Sequence, residues 1–175
     1  MMFFKLNKPS KENQPLIKID MTPIDWILEF MAILGFLTFL GTAIYYFPKL
    51  PETIPTHFNG SGQPDGYSSK SFFWFMPGIS VFLYILLTIV NRFPHKFNYL
   101  VTITPQNALK QYTLGTRMIR ILKMIIVWMF FYINFAIIQS ADPEAKGLGL
   151  WFMPVFLGSV FIPLIIYFVL SYKRS

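Results

Sequence analysis

Residues 50–70 read LPETIPTHFNGSGQPDGYSSK and concentrate the side chains able to do chemistry. Glu52, His57, Asn59 and Asp65 offer two carboxylates, an imidazole and an amide, and Lys70 closes the stretch. Such groups can bind a cation, accept a proton, meet a ligand or protein partner, or hydrogen-bond the loop's own backbone. The lone histidine with irregularly spaced carboxylates lacks the two-histidine spacing of a helix-borne zinc site. The chain has no cysteine, hence no disulfide framework and no thiolate ligand or nucleophile. No serine motif or paired-carboxylate spacing points to hydrolysis. The expectation is a recognition loop of Glu52, His57, Asn59, Asp65 and Lys70, with no catalytic residue and no cofactor; metal binding stays open.

The backbone of this stretch can be read too. Pro51 and Pro55 hold its first half extended. Asn59-Gly60 and Pro64-Asp65-Gly66 both carry turn chemistry. An ordered loop is expected over 48–71.

The elements that position it follow from composition. Of 175 residues, 54% are hydrophobic and 13% charged, with a mean hydropathy of +0.50. A soluble domain usually carries about a quarter charged residues. Four stretches reach the roughly 20 apolar residues that a spanning helix needs. They cover about 26–47, 72–90, 118–138 and 150–170. The first is too long for the apolar part of a signal peptide and lacks a small-x-small cleavage site, so it reads as a retained span. The fold class is an all-α membrane protein with four transmembrane helices. A tail over 1–22 precedes a single domain over 23–175, and a second outer loop occupies 139–149.

The basic residues set the orientation. Lys5, Lys8, Lys11 and Lys18 lie in the tail. Arg92, Lys96, Lys110, Arg117, Arg120 and Lys123 lie in the connector over 91–117 and the base of the third span. Lys173 and Arg174 end the chain, and only Lys49, Lys70 and Lys146 fall on the other side. Both termini are therefore expected in the cytoplasm, with 48–71 facing outward, in the inner membrane of a bacterium. The net charge of +7 is then an orientation signal with some attraction for anionic lipid, not a nucleic-acid footprint.

Between the spans, Thr22-Pro23 fits a helix N-cap and first position, with Asp25 in the first turn. Tyr99–Thr104, YLVTIT, is β-prone, and Thr104-Pro105 starts a helix that is amphipathic at first, lies in the headgroups and enters the third span. Trp128 falls mid-span and is expected to pack between helices. WFMP occurs at 74–77 and 151–154; two hairpin repeats and convergence on interface chemistry both explain it.

Glu29 and Asn134 are the polar side chains to explain inside the spans. Glu29 can pair with Arg120 or Lys123, or snorkel to the headgroups. Asn134 suits an interhelical hydrogen bond or a contact with the outer loop.

Leu50, Pro51, Ile54, Pro55, His57, Phe58, Gly62, Pro64, Asp65 and Lys70 resemble the signature of a bacterial membrane domain of unknown function, found in SdpI-type immunity proteins that protect against a sporulation-delaying peptide toxin. Phe97–Tyr99 and Ile103–Tyr112 resemble that family's connector. SdpI-type proteins carry further spans and a second region that this chain does not show. The resemblance implies an immunity or sensing component whose outer loop meets an extracellular peptide toxin or envelope ligand. A cytoplasmic regulator at the basic connector is a further candidate partner, beside the lipid bilayer. A small transport module and a metal-dependent membrane enzyme are the alternatives.

Overall fold

A computed structural model describes residues 14–140 and 147–173. Lys5, Lys8, Lys11, Lys146 and Arg174 lie outside the described residues, as do most of the tail and part of the 139–149 loop. Among the described residues there are four α-helices: α1 (Pro23–Tyr46), α2 (Phe75–Val90), α3 (Ala108–Gln139) and α4 (Phe152–Lys173). Short 3-10 turns at Phe47–Lys49 and Lys70–Trp74 extend α1 and lead into α2. With those turns, as Pro23–Lys49 and Lys70–Val90, and with α3 and α4, all four are long and apolar enough to cross a membrane. Ile27, Phe30, Leu37, Phe82, Phe161 and Ile165 stand exposed along them, which suits acyl chains and not water. The protein is a multi-pass membrane protein.

α3 is the central element. α1 and α2 pack on it, and α4 packs chiefly on it alone. Gly35 lets α1 approach: a Cβ there would meet the Trp128 ring at 2.8 Å. The Trp128 indole donates to the Met31 carbonyl at 3.1 Å. Gly35→Leu is therefore expected to wedge α1 from α3 and cost about 1–3 kcal/mol, as overpacking does. Thermal unfolding in detergent would measure it; an unchanged midpoint would refute this role for Gly35.

Thr22 caps α1, Pro23 opens it, and the Thr22 amide donates to the Asp25 carboxylate at 2.9 Å. The connector departs from expectation. Residues 99–104 form no strand, since no second segment pairs with them. Asn107 takes up that backbone instead, accepting from the Thr104 amide at 2.9 Å and donating to the Thr102 carbonyl at 3.0 Å. It also occupies the N-cap position of α3, which starts at Ala108, three residues later than Pro105. The first turns of α3 pack one face into the protein. Gln111, Tyr112, Leu114, Gly115 and Thr116 are buried, and Leu109 and Lys110 are exposed. Tyr112 stacks on Tyr99 and donates to the Pro15 carbonyl. Burial, with the nearby Tyr167 and Tyr112 rings, pushes the Tyr99 phenol far up. It stays protonated and donates to the Pro94 carbonyl at 2.9 Å. Gln111 clamps α4, donating to the Ser171 carbonyl and accepting from the Ser171 hydroxyl.

The fold is also not purely helical. Residues 48–71 contain an antiparallel hairpin, β1 (Thr53–Phe58) and β2 (Pro64–Ser69). Its base enters a core of Ala43, Leu50, Ile54, Phe73 and Ile137. That core joins the hairpin to the ends of α1 and α3 and the start of α2. Both WFMP copies stand at helix starts, with Phe75 and Phe152 first in α2 and α4.

Candidate functional site

The hairpin's turn is built by Asn59, whose side-chain carbonyl accepts from the Ser61 and Gln63 amides at 2.9 and 3.1 Å. Gly62 completes it at φ +77°, a conformation that favours glycine. Pro64-Asp65-Gly66 is accordingly not a second turn; Pro64 opens β2, a position where its missing N–H costs no ladder bond.

The ladder is irregular on both sides of His57. His57 faces Gly66 while Phe58 faces Pro64, so Asp65 is an extra residue on β2. Such bulges re-aim side chains. Here His57 Nδ1 and Asp65 Oδ1 meet at 2.5 Å. Gly66 permits this, since a Cβ there would meet the His57 Cβ at 2.9 Å. Both side chains remain open to solvent.

Beneath the hairpin lies a cavity of about 190 Å³. Ile54 and Phe58 roof it, Phe73 and Met76 come from the start of α2, and Ile133 and Ile137 from α3. His57, Asn59 and Thr56 supply its polar atoms. The remaining wall is Leu148 and Gly149. The Leu148 amide donates to the Gly62 carbonyl at 2.8 Å, and Tyr132 of α3 donates to the Leu148 carbonyl at 2.9 Å. A Cβ on Gly62 would meet the Gly149 backbone at 2.6 Å, so the hairpin tip docks only as glycine. A wider hollow of about 510 Å³ lies between α3 and the start of α4, lined by Trp128, Tyr132 and Trp151 among other apolar groups.

Of the expected loop residues, His57 and Asn59 line the cavity and Asp65 holds His57. Glu52 and Lys70 do not line it. The Lys70 amide donates to the Glu52 carbonyl, and the Lys70 ammonium reaches the Pro48 carbonyl at 3.3 Å over the Phe47 ring. Those two residues fasten the hairpin's base. Among the described residues no three of His, Asp and Glu gather where they could share a metal.

The intramembrane polar residues lie elsewhere. Lys123, buried to 1% exposure, donates to Glu29 at 2.6 Å and Thr88 at 3.2 Å, with its ammonium 4.9 Å above the Tyr84 ring. Arg120 lies 3.3 Å from Glu29. Asp25, not foreseen as a partner, takes Arg117 at 3.1 Å and approaches Arg120 at 3.7 Å. Its signal was present: Asp25 and Glu29 are four apart on one helix face, and Arg117, Arg120 and Lys123 follow at threes on another. Asn134 is buried in α3, and neither its amide nitrogen nor its carbonyl has a partner among the described residues. Among the described residues it makes neither an interhelical hydrogen bond nor one to the outer loop.

Residues 33–81 match the family described as Domain of unknown function (DUF1648). The matched stretch runs from α1 through the hairpin into α2, and so contains His57, Gly62, Asp65 and Gly66. An uncharacterized protein of Archaeoglobus fulgidus is 35% identical over 60 residues, 30% of this chain and 33% of that protein. The similarity thus spans about a third of the relative's length. No solved structure shows a significant match.

Proposed function

We propose that the protein is an SdpI-like, non-enzymatic recognition component of a bacterial cytoplasmic membrane, with both termini in the cytoplasm and the hairpin outside. The cavity beneath the hairpin carries this reading. It is apolar in depth and polar at the hairpin, the usual arrangement of a site that takes a ligand's greasy group and orients it by a few hydrogen bonds. At about 190 Å³ it suits one large side chain or a short alkyl segment, not a whole drug-sized molecule. The ligand class is a secreted peptide or an envelope amphiphile presenting such a group. The asymmetry of the basic residues supports the orientation. The His57–Asp65 pair on the bulged ladder fixes the one ionisable ring at the cavity.

The test is a deletion strain complemented with wild type, His57→Ala or Asp65→Ala and challenged with peptides secreted by its own species and its neighbours. The deletion is expected to be sensitised, and both variants, present at wild-type levels in the membrane, are expected to fail to rescue it. Loss of a well-placed polar contact typically weakens binding about tenfold or more. Full rescue by both variants would remove the cavity from recognition.

A further inference from the structure

Ser80 of α2 and Asn134 of α3 are buried, at 0% and 1% exposure, and no polar atom of either side chain has a partner among the described residues. A polar group in the hydrocarbon region without a partner is costly, because lipid supplies none. Helix geometry places the two together. Thr88 and Lys123 are bonded across α2 and α3, and Met76 meets Ile133 and Ile137 at the cavity, so the two helices run antiparallel. Asn134 follows Lys123 by three turns on the same face, about 16 Å along α3. Ser80 precedes Thr88 by eight residues through Tyr84, about 12 Å along α2 in the same direction. Both therefore border the same seam at nearly one depth. The cavity's floor comes next: Met76 is one turn beyond Ser80, and Ile133 and Ile137 flank Asn134.

We propose that Ser80 and Asn134 form a polar subsite beneath the hairpin cavity, entered by water from the hairpin side. Each offers both a donor and an acceptor, so the pair suits water or a ligand's amide or hydroxyl, and does not suit an ion. Among the described residues a cation would find no carboxylate at this depth, since Glu29 is three turns away and already bonded to Lys123. The apolar cavity thereby gains a hydrogen-bonding end, which selects groups that are greasy along their length and polar at the tip. The subsite does not depend on which ligand the hairpin recognises.

The natural chain has no cysteine, so single cysteines report cleanly. The full-length protein would be made as Ser80→Cys and Asn134→Cys in sealed membranes. Silver ion in nitrate buffer would be applied from one side, and surviving thiols counted with a fluorescent maleimide after denaturation. Ser61→Cys at the hairpin tip identifies the hairpin side. Phe82→Cys, on the lipid-exposed face of α2, is the dry control. Silver reacts through the thiolate, which forms only in contact with water, so both seam cysteines are expected to be blocked at least about tenfold faster than Phe82→Cys. The block should come from the side that blocks Ser61→Cys. Seam cysteines that react no faster than Phe82→Cys, or react only from the opposite side, would overturn the subsite. Ser80→Cys is nearly isosteric and decides the matter if Asn134→Cys fails to accumulate.

Discussion

Glu29→Ala is expected to lower the stability of the detergent-solubilised protein by about 3–5 kcal/mol, the usual result of stripping one partner from a buried ion pair. The reason lies with the partner left behind. Lys123 is almost fully buried, and its remaining contacts would be the Thr88 hydroxyl and the Tyr84 ring. Neither neutralises an ammonium. Arg120 would keep Asp25, and Arg117 would keep both Asp25 and Thr22, so the loss belongs to Lys123. The double replacement Glu29→Leu with Lys123→Met removes both charges and is expected to recover most of the stability, because apolar packing often matches a buried pair. Thermal unfolding of the three variants beside wild type checks this. A double variant as unstable as Glu29→Ala would mean that the helix packing, not the unpaired charge, governs the effect.

Gly62→Val should release the hairpin tip. The new side chain meets two penalties at once: a φ of +77°, which β-branched residues avoid, and the Gly149 backbone at 2.6 Å from its Cβ. Together these amount to on the order of 3 kcal/mol or more, far above the net worth of the single Leu148–Gly62 hydrogen bond that docks the tip. The bundle should remain folded, since its packing runs through α3. The cavity should lose a wall. Protease added on the hairpin side is expected to cut Gly62→Val membranes within 53–69 while sparing wild type. Gly60→Ala, where a Cβ meets nothing within 4 Å, should resist like wild type. Equal resistance of Gly62→Val would show that the tip is held by something other than the 147–149 segment.

What could be read from the residues depended on how local the cause was. The start of α1 was legible because Thr22, Pro23 and Asp25 act on one another within one turn. Four apolar helices were legible from length and composition. The extended first half of the loop was legible from Pro51 and Pro55, whereas Pro64-Asp65-Gly66 misled. Its turn chemistry is real, but Asn59 and Gly62 close the chain first, and two turns that close together leave no strand between them. YLVTIT misled for a related reason. β-propensity measures fit to a neighbouring strand, and none is there. The helix after it was read as amphipathic at its start, yet its polar Gln111 is buried by a bond to Ser171, sixty residues away. The cavity was beyond local reading altogether, because its walls come from the hairpin, α2, α3 and the segment before α4.

The attachment of α4 has a mechanical consequence. At one end Gln111 grips Ser171, and at the other Leu148 is tied to both Gly62 and Tyr132. Between those points α4 rests chiefly on α3, over about 33 Å of helix. It is a beam on two supports, and one support is shared with the hairpin tip. A push on the tip is therefore passed to that beam, as well as to α1 and α2 through the hairpin's base. Pro163, near mid-length and without an N–H to give, leaves the beam one backbone hydrogen bond short and makes that point its softest.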